Sequence, residues 1–357
     1  MKPAIRIEAD RLFTAFQAAG AVPIEADLLQ PAEILLDLYG EDIRARAYTT
    51  HDPLRGEMML RPDFTVPVVQ SHMAHGADPA RYCYCGEVFR KQEHLGNRAS
   101  EYLQVGFEVF DRTSPEAADA EVFSLFSQLL EGLNLRPATG DIGILMAAVR
   151  GLSTTDARKA ALLRHIWRPR KFRALLDRFS GRAPANRADL LARLRNPQPA
   201  SPLVGLRSDA EIAARTQALL IDAETPALAA PEAALLYDLL TLQAPAAAAL
   251  NHLRGIQPLL PAIAPAVDRF AIRLEALSQS GIDVATLQFE ASHGRTSLEY
   301  YDGFVFSFHG LPDMPPIASG GRYDALTAVL GAGASIPAVG GVIRPALVTA
   351  LREAKSC

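Results

Sequence analysis

The chain has 357 residues, 49% of them hydrophobic, and 36 Lys and Arg against 40 Asp and Glu leave a formal net charge of −4. That length buries one large core or two modest ones, and the apolar content excludes a disordered or fibrous protein. The slight acidic surplus argues against a nucleic-acid binder, whose domain normally carries a basic excess.

At the N-terminus, MKPAIRIEADRLF has charges every few residues where the apolar stretch of a signal peptide would sit, so none is expected. No apolar run reaches the 18 or so residues of a membrane span, because AAPEAALLYDLLTLQAPAAAAL is broken by Glu, Asp and Pro. A cytoplasmic protein without membrane attachment is the expectation. Leu12, Phe13 and Phe16 form a helical stripe that stops at Gly20, ahead of a short strand at 21–24.

Residues 82–110, YCYCGEVFRKQEHLGNRASEYLQVGFEVF, predict two strands joined by a charged loop. Alternation sends Tyr82, Tyr84, Gly86, Val88 and Arg90 to one side. In the returning strand it groups Tyr102, Gln104, Gly106, Glu108 and Phe110 against Leu103, Val105, Phe107 and Val109. Gln104 and Glu108 therefore share a face, about 13 Å apart at about 3.3 Å per residue. An arginine, an amide and a carboxylate above a buried sheet suit a zwitterionic small molecule. Cys83 and Cys85 face one side of a strand, and with the terminal Cys357 they are the only cysteines. So few thiols fit a reducing compartment. A metal site would need His94 and still lack a fourth ligand, so buried small side chains are expected.

Ser114-Pro115-Glu116 predicts a helix start with Ser114 as N-cap, running through Phe123, Phe126 and Leu130 to Gly132. A strand near 141–145 follows. From 146 to 280 Ala, Leu and Arg dominate, which predicts a helical insertion interrupted by a loop at Pro197, Pro199 and Pro202. Within it, RHIWRPRKFRALLDR (164–178) sets six basic residues around Trp167 and Phe172. An exposed helix face or protein interface accounts for this better than RNA. Strand texture returns after 283 with LEYYDGFVFSF, a turn at ASGGRYD, and a strand–helix pair from Ile336; GAGAS at 331–335 reads as a turn. The sheet must close across the insertion. Phe304, Phe306 and Phe308 supply one apolar face, leaving the preceding tyrosines to line a cleft.

The 82–110 segment resembles motif 2 of class II aminoacyl-tRNA synthetases, specifically the histidyl-tRNA synthetases, in Phe89-Arg90, Gln104 and Glu108 at matching intervals. Arg98 falls where that family's loop faces ATP. LRPDFT at 60–65 resembles the family's Leu-Arg-Pro-Glu-Gly-Thr, whose acid and threonine hold the histidine ammonium group; here these are Asp63 and Thr65. GGRYD at 320–324 matches the family outright and brings Tyr323 to the pocket, and SLEYYDGFVF brings Tyr301. By this resemblance Asp63, Thr65, Arg90, Gln104, Glu108, Tyr301 and Tyr323 bind histidine. The implied fold is α+β, a class II synthetase-like antiparallel sheet flanked by helices, spanning 1–357 with the insertion at about 146–280. Dimerisation through motif 1, roughly residues 5–45, is also implied.

Three departures separate the chain from a working synthetase. Thr296 stands where the family has an arginine that assists attack on ATP, with Arg295 one place earlier and facing away if the segment is extended. PAVGGVIRPAL puts Leu347 at the motif 3 arginine, and Arg344 lies three residues short, one helical turn or about 5 Å away. Losing one positioned arginine typically costs about 100- to 1,000-fold in rate; Arg98 and Arg344 are at most a remnant ATP site. The chain also ends at Cys357, so no anticodon-binding domain is expected. This combination resembles the synthetase paralogues that serve as regulatory subunits of ATP phosphoribosyltransferase. The resemblance implies a non-catalytic subunit without cofactor, paired with a short catalytic subunit in a hetero-octamer. It would mediate activation and feedback by L-histidine in the first step of histidine biosynthesis, without nucleic acid. A histidine-activating ligase and a tRNA-binding module are the alternatives.

Overall fold

In the computed structural model, which describes residues 3–39, 43–92, 99–182, 188–196, 205, 207–295, 300–311 and 314–356, the N-terminal stripe forms α1 (Pro3–Ala18). Ala9, Leu12 and Phe16 are buried on it, and Phe13 lies at the rim. Gly20 (φ +90°) then turns the chain left-handed, where a side chain would be strained. β1 (Val22–Pro23) follows, and β2 (Leu29–Pro31), α2 (Ala32–Tyr39), α3 (Ile43–Arg46), β3 (Thr49–Asp52) and β4 (Gly56–Leu60) build a small three-stranded sheet in the order β2-β4-β3. After α4 (Thr65–His75) come the two long strands β5 (Ala80–Phe89) and β6 (Glu101–Phe110), then α5 (Pro115–Leu129), β7 (Arg136–Asp141) and α6 (Ile142–Arg150).

The middle of the chain is helical: α7 (Asp156–Arg164), α8 (Pro169–Phe179), α9 (Ala188–Arg195), α10 (Asp209–Glu224), α11 (Ala230–Thr241), α12 (Ala246–Ile256) and α13 (Ala264–Gln279), with the short strand β8 (Gln243–Pro245) before α12. β9 (Gln288–Glu290), β10 (Phe304–His309), β11 (Ala318–Arg322), α14 (Asp324–Leu330), β12 (Ala338–Ile343) and α15 (Pro345–Ser356) complete it. The main sheet has nine strands in the order β1-β5-β6-β12-β11-β10-β7-β9-β8. Its middle is antiparallel, and among the described residues only the β1–β5 and β7–β9 pairs are parallel. β10 pairs with β7, so the sheet does close across the helical stretch. No described helix is long and apolar enough to cross a membrane.

One face of the sheet is the core. Phe107 meets Phe16 at 5.3 Å, and Phe306 and Phe308 meet Phe123 of α5 at 5.6 and 5.2 Å. Each such ring contributes about 1.5–3 kcal/mol by leaving water. Cys83, fully buried on this face, has its pKa pushed up to about 11 by burial, and both Cys83 and Cys85 are free thiols. In the basic segment, Phe172 is buried and the Trp167 indole donates to the Tyr301 carbonyl (3.1 Å), so both aromatics are structural.

Four expectations are corrected. Ser114 occupies the cap position of α5 but its hydroxyl caps nothing; Asp111 Oδ1 accepts from the Thr113 and Ser114 N–H groups instead (2.8 and 3.1 Å), and the helix ends at Leu129. The expected strand at 141–145 is the start of α6: Asp141 accepts from Gly143 N–H (2.9 Å), and this N-cap turns an apolar run that suits either state into helix. ASGGRYD is largely a strand, β11, not a turn. Its glycines are there for close approach, since a Cβ on Gly320 would sit 2.3 Å from the Gly340 carbonyl oxygen. Finally, β10 begins only at Phe304, and Arg295 lies in a turn, not an extended segment.

Candidate functional site

The other face of the sheet carries the polar residues, positioned by strand register. Gln104 lies opposite Gly86, Gly106 opposite Tyr84, and Glu108 between Tyr82 and Gly340. The glycines leave room for what stands beside them. A Cβ on Gly106 would lie 2.1 Å from the Tyr84 ring, and one on Gly340 would lie 1.5 Å from Glu108 Oε2. The turn before α4 is held by Arg61, which is buried, stacks on Phe64 at 3.8 Å and donates to the Glu87 carbonyl at 3.1 and 2.9 Å. Phe64 in turn stacks on Tyr84 at 4.2 Å. This fixes Asp63 and Thr65 against the strands.

Glu108 is fully buried (0% exposed) and accepts three hydroxyls: Tyr323 at 2.6 Å, Tyr84 at 2.9 Å and Thr65 at 3.2 Å. Tyr300 donates to Thr65 Oγ1 at 3.2 Å. Burial pushes the Glu108 pKa up to about 7, Asp63 adds to the rise, and the three hydroxyls oppose it. Burial, with the Glu108 charge behind it, raises Tyr84, Tyr301 and Tyr323, so they remain donors. A carboxylate offers about four acceptor positions, so one remains for a ligand N–H. Gln104 is 1% exposed, yet among the described residues its Oε1 has no partner. An unmade bond of this kind costs about 1–3 kcal/mol, which a ligand donor would recover.

Arg90 is half-buried and donates to the Pro62 carbonyl at 2.8 Å. Arg344 lies one helical turn before Leu347, as expected, with the Leu347 N–H donating to its carbonyl at 3.0 Å. Pro345 opens α15, so Arg344 extends β12, and the pairing of Ile343 with Val105 carries it to the pocket side, level with Gln104. Leu347 sits in the first turn of α15, half-buried against the core. Arg295 has left the site. It is buried on the Phe172 ring at 4.7 Å, donates to the Ile166 carbonyl at 2.7 Å, and burial lowers its pKa to about 10. Arg98, Thr296, His94, Pro197, Pro199, Pro202 and Cys357 lie outside the described residues.

The structure thus gathers Asp63, Thr65, Glu108, Tyr301 and Tyr323, with Gln104 and Arg90 along the same face. Two residues were missing from the expected set. Tyr84 could have been found from its place on the polar face opposite Gly106, whereas the sequence leaves Tyr300 to line a cleft with Tyr301 without assigning it to the ligand set.

Two expected outcomes follow. Gly340→Ala forces the Glu108 carboxylate out of place, so thermal unfolding should show a loss of about 1–3 kcal/mol, the usual cost of overpacking. For pH, folding raises Glu108 above its unfolded value of 4.5, so its contribution to stability is full below about pH 4.5 and is lost as pH rises through about 7. Asp302, raised to about 7 by burial and by Asp324, behaves alike. Melting temperature measured from pH 4 to 8 should therefore fall less steeply in Glu108→Gln than in the parent.

A family model described as histidyl-tRNA synthetase matches residues 4–199 and 207–346. The ATP phosphoribosyltransferase regulatory subunit of Allorhizobium ampelinum is 33% identical over 93% of this chain and 94% of its own length. The protein of that name from Mesorhizobium japonicum is 32% identical over 99% and 98%. Among solved structures, an ATP phosphoribosyltransferase regulatory subunit/histidyl-tRNA synthetase from Bacillus halodurans superimposes with a TM-score of 0.68 at 20% identity, covering 98% of this chain and 79% of that one. A histidine–tRNA ligase subunit from Alicyclobacillus acidocaldarius gives 0.63 at 25% identity, covering 100% and 96%. The chain belongs to the ATP phosphoribosyltransferase regulatory subunit family, built on the class II fold of the histidyl-tRNA synthetases.

Proposed function

We propose that the chain is the non-catalytic regulatory subunit of ATP phosphoribosyltransferase, activating a short catalytic subunit and carrying feedback inhibition by L-histidine in the first step of histidine biosynthesis. The observation that carries this is the near-full-length similarity to proteins of that name, 33% over 93% of the chain. The pocket supports it. Glu108 would accept from the imidazole, while Asp63, Thr65 and Gln104 would take the ammonium, replacing its water with one carboxylate and neutral acceptors. Arg90 would hold the carboxylate, and Tyr301 and Tyr323 would wall the ring. Leu347, an apolar side chain where a synthetase places a guanidinium on phosphate, leaves the pocket suited to holding histidine and poorly suited to activating it. The working assembly would be a hetero-octamer with the short catalytic subunit, containing homodimers formed through residues 5–45, in the cytoplasm and without nucleic acid.

The match to the synthetase family model keeps one competitor in view, a ligase that adenylates histidine. Histidine-dependent ATP–pyrophosphate exchange by the purified chain separates the two. None above background is expected, and robust exchange would establish the ligase.

A further inference from the structure

We infer that Arg344 is a specificity residue of this pocket: together with Arg90 it clamps the ligand's α-carboxylate and so selects amino acids over amines. This rests on the reading of the pocket as a histidine site. The register puts Arg344 beside Gln104, and Pro345 pins it at the strand's end by starting the next helix. Its Nη1 donates to the Pro316 carbonyl at 2.7 Å and its Nη2 to Ser319 Oγ at 3.3 Å, and Tyr102 also hydrogen-bonds to it. These contacts hold the guanidinium against the pocket floor without exhausting its five N–H donors. Among the described residues its partners are neutral, and no carboxylate acts on it. Burial lowers its pKa and the Arg90 charge adds to the fall, while Tyr102 and Tyr301 oppose it.

A half-buried guanidinium at Arg344, with neutral hydrogen-bond partners and a second cation in its field, calls for an anion, because an uncompensated charge out of water is unfavourable. The adjoining Gln104 Oε1, buried and without a partner among the described residues, marks where the ligand lies. From Arg344 and Arg90, past Gln104, to Asp63 and Glu108, the wall runs from positive through neutral to negative. That is the polarity of a zwitterion whose carboxylate lies at the arginine end. A guanidinium fork matches a carboxylate with two parallel hydrogen bonds. The cation that a synthetase would aim at ATP, three residues further on, is thus moved onto the effector itself.

The test is calorimetric titration of the full chain with L-histidine, with histamine (the same ring and ammonium without the carboxylate) and with ATP. The parent should prefer L-histidine to histamine by about 10-fold or more, the range of a charge-assisted pair. Arg344→Ala should weaken L-histidine by a similar factor and leave histamine unchanged, and Arg344→Lys, which keeps the charge and the packing, should fall between. Equal weakening of both ligands in the alanine and lysine variants, or of neither, overturns the inference. So does loss of ATP binding alone, which would mark a phosphate site. Glu108→Gln, which should weaken both amines, distinguishes the failures. If it changes neither, the pocket reading itself is wrong; if it weakens both while Arg344 variants keep the parent's selectivity, only the clamp is.

Discussion

Replacing Glu108 with alanine should raise the L-histidine concentration for half-inhibition of the assembled enzyme by about 10- to 100-fold while leaving activation of the catalytic subunit intact. The carboxylate is the deepest polar group in the pocket and already gathers three hydroxyls, so a ligand N–H reaching it forms a charge-assisted bond in a dry setting. Such bonds contribute about 1.5–3 kcal/mol, which sets the factor. The substitution also leaves Tyr84, Tyr323 and Thr65 with unmade bonds, so Glu108→Gln, close in shape, is the companion variant. Histidine sensitivity measured in both should fall in parallel. Unchanged inhibition in both would mean that histidine is sensed elsewhere, for example at the subunit interface.

Replacing Asp119 with alanine should lower stability by about 3–5 kcal/mol, the usual cost of stranding a buried charge. Asp119 of α5 is fully buried and accepts from Arg273 of α13 at 2.8 Å and from Arg322 of β11 at 2.7 Å. Arg273 continues to Asp141 at 2.9 Å and Arg322 to Asp324 at 3.0 Å, so the network ties three helices (α5, α13 and α14), a helix cap and the strand next to the pocket. Burial pulls both guanidinium pKa values down, but the carboxylates more than offset it and both are raised. Without Asp119, two cations share what is left. Against a total stability of about 5–15 kcal/mol, thermal denaturation should shift by several degrees or more. Asp119→Asn, which keeps a hydrogen-bond acceptor, should cost less. An unshifted melting temperature in both would show that the network contributes specificity and not stability.

What could be read beforehand follows from where the physics is local. The 82–110 hairpin was legible because period-two alternation and burial agree: Gln104 and Glu108 do share a face, and Leu103, Val105, Phe107 and Val109 do fill the core. The stripe of α1 was legible for the same reason. The apolar run after Asp141 was not, because it suits strand or helix equally and only the Asp141 side chain, capping Gly143, decides. The double glycine of β11 reads as a turn until its neighbours are known, since its purpose is contact with Gly340 and Phe306 across the sheet. The partners of Tyr300 and Arg295 escaped because they are Thr65 and Phe172, 235 and 123 residues away in sequence, which no periodicity reports. Arg344 was visible as a displaced arginine, but its face depended on whether β12 or α15 carried it, and Pro345 settles that in favour of the strand.

Whether the chain relays histidine to a catalytic partner is tested most directly by co-expressing it with a short-form catalytic subunit and assaying ATP phosphoribosyltransferase activity across an L-histidine titration. Activity is expected only when both chains are present, with inhibition by histidine that shifts to higher concentration in Glu108→Gln. Full activity of the catalytic subunit alone, or activity indifferent to histidine in the assembled complex, would contradict it.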